Sequence, residues 1–140
     1  AVRIGGGYNH RMRLDEMVLI KANHIHVARH TSHVTRLKNI IEEARRMIPV
    51  GMKLEIEVNN LKEFKEALEA RPDIIMLDNM KVADMAEAIL LRDGAMPKIE
   101  VSGNVNLNNI RGIAKTGVDM ISVGALTHSV KTIDISLEIL

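Results

Sequence analysis

At 140 residues with 46% hydrophobic content, the chain has the size of one domain and enough apolar material for a single core. Nineteen Lys and Arg against 18 Asp and Glu leave a formal net charge of +1, which excludes a global field for nucleic acid or an acidic membrane surface. The absence of cysteine excludes a disulfide scaffold, a thiolate metal site and a cysteine nucleophile, and fits a reducing, cytoplasmic setting; one Tyr, one Phe and no Trp leave no aromatic platform for stacking bases.

Residues 1–7 show no cap or turn signal and read as the tail of an earlier element. The run Gly5-Gly6-Gly7 is followed at once by Asn9, His10 and Arg11, which suggests a local anion site. Residues 17–21 form a short apolar run closed by Lys21, the pattern of a strand buried on both faces, and Asn23 and His24 follow it. Val34, Leu37, Ile40, Ile41, Ala44, Met47 and Ile48 recur at helical spacing, with Thr31 or Ser32 as caps and Pro49 and Gly51 as the stop. Residues 53–58 read as a strand, and Asn60 with Glu63 resembles a capping box opening a helix through Leu61, Phe64, Ala67 and Leu68.

The alternation continues with a strand over 73–78 and a helix through Val82, Met85, Ala86, Ile89 and Leu90, ended by Gly94 as a left-handed residue. Beyond Pro97, residues 99–102 read as a strand, and Leu107, Ile110, Ile113 and Ala114 share a helical face. Gly117 then punctuates before a strand over 118–124, and a final helix or mixed segment runs from about 127 to 140. No apolar run approaches the ~18 residues of a membrane span, and no signal peptide is visible.

About five consecutive βα units predict an α/β fold with a parallel sheet, either a doubly wound open sheet or part of a βα (TIM-like) barrel. The residues ending the strands help to choose: Lys21 with Asn23 and His24, Glu57, Asp78 with Asn79, Ser102-Gly103, and Gly124. Polar groups or glycines on nearly every strand end point to a barrel rim, where active sites are assembled from several strands. Ser102-Gly103 and Val123-Gly124 supply small residues and backbone N–H groups suited to a phosphate. His10, Arg11 and Lys21 add cations for carboxylates on the same ligand. Glu57 and Asp78 end neighbouring strands and could hold Mg²⁺ through water or stabilise a developing positive charge; Glu55 alternates with Glu57, so the choice between them stays open. His24, His26, His30 and His33 have metal-like spacings that suit a metal-dependent hydrolase, but Val27, Ala28 and Arg29 give them no acidic partner, and they read as surface histidines.

Taken in order, Gly5-Gly6-Gly7, Asn9-His10-Arg11, Leu19-Ile20-Lys21 with Asn23-His24, Glu55-Ile56-Glu57-Val58, Met76-Leu77-Asp78-Asn79, Ser102-Gly103, Gly117-Val118-Asp119 and the run from Ser122 to Ser129 resemble the quinolinate phosphoribosyltransferase family over almost the whole chain. The resemblance implies conversion of quinolinate and phosphoribosyl pyrophosphate to nicotinate mononucleotide, pyrophosphate and CO₂ in NAD biosynthesis, with Mg²⁺ accompanying the pyrophosphate. It implies that His10, Arg11 and Lys21 face the quinolinate carboxylates, that Glu57 and Asp78 lie by the ribose and Mg²⁺, and that Ser102, Gly103, Gly124 and His128 hold the 5'-phosphate. The sequence departs from the family pattern at Ala22, where Asp is usual, and at Asn104, where a second glycine would keep the phosphate turn wider.

The resemblance further implies an N-terminal α/β domain, a first barrel strand with an Arg-Lys-Thr motif, and a dimer in which the partner supplies an arginine. The chain is therefore expected to be a single C-terminal barrel domain over 1–140, with little activity alone. Its strand at 17–21 is expected to be an exposed edge that favours oligomers. An inactive phosphate-binding remnant is the alternative outside enzymes.

Overall fold

The computed structural model describes residues 1–31 and 36–139. Ser32, His33 and Val34, expected as a cap, a cluster histidine and an apolar helix position, lie outside the described residues. Five strands, β1 (Met17–Ile20), β2 (Lys53–Val58), β3 (Ile74–Asp78), β4 (Lys98–Ser102) and β5 (Met120–Ile121), pair in parallel in chain order. That order never reverses, so the sheet has no switch point of the doubly wound kind and is a segment of a barrel wall.

The helices are α1 (Ala22–Thr31), α2 (Leu37–Met47), α3 (Leu61–Ala70), α4 (Val82–Leu91), α5 (Ile110–Ala114) and α6 (Ala125–His128). Consecutive helices from α1 to α5 touch one another and share one apolar core with the sheet. Strand alternation supplies the sheet's side of that core: Leu54, Ile56, Val58, Ile75, Leu77, Ile99 and Val101 are fully buried and meet Leu37, Ile41, Phe64, Ala67 and Ala88 of the helices. The opposite face carries Glu55, Glu57, Met76, Asp78, Glu100 and Ser102, so β2 and β4 are apolar on one side and polar on the other, while β1 is apolar on both.

The capping box expected at α3 forms with a shifted partner. Asn60 Oδ1 accepts from the Glu63 N–H at 2.9 Å, while Glu63 Oε2 accepts from the N–H of Asn59, not of Asn60. Thr31 does not cap α2; it is the last residue of α1, with its hydroxyl on the Val27 carbonyl. The N-cap of α2 is Arg36, whose side chain makes no capping bond, and the Leu37 N–H is taken instead by Glu66 Oε2 from α3 at 3.2 Å.

Other expectations need correction. Residues 1–7 do form a turn, closed by N–H groups of Gly5, Gly6 and Gly7 on the carbonyls of Ala1, Arg3 and Val2. Three of the four histidines expected at the surface, His24, His26 and His30, lie on the helix α1. Gly94 is left-handed at φ 84 but lies two residues beyond the extended cap Arg92, turning the chain after α4 has ended. Leu90 and Leu107 face solvent, because the α4 core face uses Met85 and Ala88 and α5 begins only at Ile110. Strand 118–124 contracts to the two residues of β5, and the expected terminal helix is only α6. Residues 129–139 are exposed without a regular element: Ile133, Ile135, Leu137 and Ile139 alternate with polar residues at period two, which gives no helical face.

Candidate active site

Two cavities open at the C-terminal ends of the strands. The larger, about 680 Å³, brings together His10, Arg11, Lys21, Glu57, Asp78, Ser102 and Gly124. The smaller, about 360 Å³, is lined by Ser102, Gly103, Asn104, Gly124 and His128 among others. Ser102 and Gly124 line both, so the two spaces are neighbours at the ends of β4 and β5. All nine residues singled out in the sequence lie on this rim.

The glycine-rich N-terminal segment carries His10 and Arg11 over the polar face of the sheet, where Arg11 Nη1 donates to the Met17 carbonyl at 3.0 Å. Lys21 is exposed just past β1, and its N–H donates to His24 Nδ1 at 3.1 Å. That bond commits His24 to shaping the Lys21 turn. Glu57 Oε1 sits 3.4 Å from the N–H of Ala22, so the turn is tied to β2 through the backbone at a position where the family usually has Asp. Asp78 Oδ2 accepts from Asn79 Nδ2 at 3.0 Å and from Asn59 Nδ2 at 3.4 Å. Glu57 and Asp78 therefore line the larger cavity from adjacent strands, whereas Glu55 is buried.

Backbone geometry builds the smaller cavity. Gly103 has φ 88, and a Cβ there would lie 2.4 Å from Asn79 Cγ, so glycine is required by conformation and by space. Asn104 adopts a left-handed φ of 51 without a glycine, because its Nδ2 donates to Asn79 Oδ1 at 2.8 Å. At Gly124 a Cβ would lie 2.6 Å from His128 Nε2, so the missing side chain lets the imidazole rest against the chain.

Beneath the rim lies a cluster that sequence reading missed in part. Glu55 is fully buried and Glu100 is 2% exposed, and His10 Nε2 approaches their carboxylates at 3.0 and 3.5 Å. Among the described residues His10 is the one close cationic partner of the buried Glu55 carboxylate, which no backbone N–H reaches. Glu100 Oε1 accepts from Ser122 Oγ at 2.5 Å. The close Glu55 carboxylate holds the His10 imidazole above its ordinary 6.5, with help from Glu100 and against burial and Arg11. Burial pushes Glu100 above its ordinary 4.5, reinforced by Glu55 and opposed by the Ser122 hydroxyl and His10. Donor atoms of His10, Glu55 and Glu100 lie within 4.8 Å of one another, a grouping that could bind a metal ion. The signal was legible: each glutamate stands between apolar residues inside a strand, Leu54-Glu55-Ile56 and Ile99-Glu100-Val101.

The histidine stretch behaves otherwise. On α1 the rings of His26 and His30 lie 4.3 Å apart and tilted, and Arg29 pairs with Glu63 at 3.6 Å.

A five-stranded parallel βα wall whose strand ends gather cations, carboxylates and tight glycine turns on one rim is part of a TIM-like barrel. The chain belongs to the quinolinate phosphoribosyl transferase family, matching its C-terminal domain over residues 1–138. It is 49% identical to a probable carboxylating nicotinate-nucleotide pyrophosphorylase of Methanocaldococcus jannaschii, over 99% of this chain and 49% of that one. A similarly named protein of Synechocystis is 41% identical over 99% of this chain and 46% of its own length. The solved nicotinate-nucleotide pyrophosphorylase of Francisella tularensis superposes with a TM-score of 0.81 at 42% identity, over 96% of this chain and 45% of the other. The chain thus spans about half the length of the relatives it matches. Among the described residues no helix is long and apolar enough to cross a membrane.

Proposed function

We propose that these residues form the C-terminal part of a cytoplasmic quinolinate phosphoribosyltransferase that joins quinolinate to phosphoribosyl pyrophosphate and releases pyrophosphate and CO₂. The observation that carries this reading is the pair of neighbouring cavities: His10, Arg11 and Lys21 line one, and it shares Ser102 and Gly124 with the other, which holds the glycine-built turn and His128. A ligand anionic at both ends fits such a rim.

In this reading His10, Arg11 and Lys21 hold the two carboxylates and aim the ring nitrogen at the ribose carbon. The nitrogen forms its bond to that carbon as the bond to pyrophosphate breaks. Glu57 and Asp78 stabilise the positive charge that develops on the ribose. The positive charge on the quaternary nitrogen then stabilises the electron pair left on the adjacent ring carbon as CO₂ departs, and a proton from solvent bonds to that carbon in place of the carboxylate. Ser102, Gly103, Gly124 and His128 hold the 5'-phosphate. Glu57 and Asp78 offer oxygen donors only, the chemistry a hard cation takes, so they fit water-mediated Mg²⁺; when bound, that ion neutralises charge on the pyrophosphate.

The reading includes a homodimer and further sequence beyond these 140 residues that completes the site. The test is isothermal titration with quinolinate together with turnover assays. Binding of quinolinate that is weakened ~10-fold or more by Lys21→Ala supports the clamp. Full turnover by the 140 residues alone would overturn the shared site, and unchanged binding in Lys21→Ala would overturn the clamp.

A further inference from the structure

Between the carboxylate of Asp78 and the turn at Gly103 and Asn104 lies one side chain, that of Asn79, to which none of the roles above is given. Asn79 lines neither cavity itself. Its Nδ2 donates to Asp78 Oδ2 at 3.0 Å, and its Oδ1 accepts from Asn104 Nδ2 at 2.8 Å. Its backbone N–H donates to the Ser102 carbonyl at 3.0 Å, which ties the two strand ends one step past the paired Asp78 and Ser102. The amide group also occupies the space that a Cβ on Gly103 would need. One planar group therefore touches a carboxylate of the larger cavity and the backbone turn of the smaller one.

We propose that Asn79 is a positioning residue that clamps the Asp78 carboxylate to the phosphate turn through Asn104, so that the charge facing the ribose and the cradle of its 5'-phosphate keep one separation. An amide has a donor end and an acceptor end. Turning it over would set oxygen against Asp78 and nitrogen against the Asn104 amide, so its two partners together hold it in one orientation. Asn104 has that part because it is not glycine: at its left-handed φ of 51 a glycine would fit equally well but would leave Asn79 Oδ1 without this donor. Asn59 Nδ2 reaches the same Asp78 oxygen at the longer distance of 3.4 Å, and its other bonds run to the Asp78 carbonyl and to Glu63, not to the turn. Asn79 is exposed, so its bonds add little to stability and act on the aim of Asp78. Aim matters to rate, since a displacement of ~1 Å in a positioned group can cost ~100-fold.

This inference rests on the phosphoribosyl-transfer reading, and a readout without ligand separates the two. Both measurements use the full-length enzyme. Asn79→Gly removes the amide and suits the backbone at φ 52, while Asn104→Gly removes only the anchor. The expected result is a kcat lowered ~10-fold in Asn79→Gly and ~3-fold in Asn104→Gly, with KM for quinolinate unchanged and the double variant no slower than Asn79→Gly alone. Asn59→Ala, by contrast, should add its own smaller loss to that of Asn104→Gly. Additive losses in the Asn79 and Asn104 double variant overturn the proposal. So do kcat losses matched by a higher quinolinate KM or by lower urea midpoints, the mark of a merely structural role. The second measurement is hydrogen exchange of the Asn79 side-chain amide by NMR in the ligand-free protein, expected to quicken in Asn104→Gly; an unchanged rate overturns the clamp whatever the activity. If exchange responds but wild type turns over no quinolinate with phosphoribosyl pyrophosphate, the transfer reading fails instead and the proposal falls with it. Should Asn79→Gly fail to fold, Asn79→Asp keeps the acceptor for Asn104, sets a second carboxylate against Asp78, and carries the same expected loss of kcat at unchanged quinolinate KM.

Discussion

The two ends of the sheet treat carboxylates in opposite ways. At the N-terminal end, Asp73 and Asp119 each stand one residue before a strand and reach back to the preceding one. Asp73 Oδ2 accepts from the Leu54 N–H at 2.8 Å and from Arg45 at 2.6 Å. Asp119 Oδ2 accepts from the Ile99 N–H at 2.9 Å and from Arg92, while its Oδ1 takes Lys98 at 2.9 Å. Two βα units apart, the same device recurs: an arginine from the end of a helix, an N–H near the start of a strand, and an aspartate ahead of the next. Burial works to raise both aspartates, but these donors outweigh it and hold both below their ordinary 3.8. Towards the C-terminal end, Glu55 and Glu100 are buried with one half-exposed histidine between them, and Glu100 is raised. A carboxylate given every donor it needs binds the fold together; one denied them retains a capacity to act on something else.

The largest expected effect breaks this contrast at its well-satisfied end. Asp119→Ala strands the Ile99 N–H, Arg92 and Lys98 together and should lower unfolding free energy by about 3 kcal/mol in urea titrations. Glu100→Gln, which removes a buried charge and keeps the Ser122 contact, should cost much less. Equal losses in the two variants would erase the distinction. Next in size, Gly103→Ala imposes a left-handed side chain and a clash with Asn79, with an expected loss of roughly 2 kcal/mol and weaker binding of phosphoribosyl pyrophosphate. Unaltered affinity would remove the turn from the phosphate site.

The smallest effect concerns pH. His10 is raised above 6.5 in the folded chain, so its contribution is present in full below 6.5 and is lost as pH rises through the folded value. Glu100, raised above 4.5, likewise makes the fold less stable as pH climbs past 4.5. Asp73 and Asp119 act on the acid side: lowered below 3.8, they stabilise above that value and lose their effect as pH falls through the folded one. Urea midpoints across pH should therefore decline on both flanks, with His10→Gln flattening only the alkaline one.

The sequence made the alternation of strands and helices legible because each buried element repeats one period without a break, as in residues 53–58 followed by Leu61, Phe64, Ala67 and Leu68. It made the rim legible because strand ends carry their polar residues at the last position. Three features escaped. The helix α1 lacks a strong apolar stripe, burying only Ile25, and its histidines mimic ligand spacing. Glu100 was read as part of an apolar strand, although an acid between Ile99 and Val101 has to meet something on the far face. The terminal segment was read as helical in part because its length outweighed its two-residue period.

The strands lie in chain order, each hydrogen-bonded to the next. Every pairing therefore closes a loop of about one βα unit, and the entropy of closure changes little from one step to the next. Such a sheet has no long-range contact that must form first, so it grows by adding neighbours outward from any formed pair. Amide exchange should then be slowest in β3, the central strand of the five, and fastest in the two-residue β5.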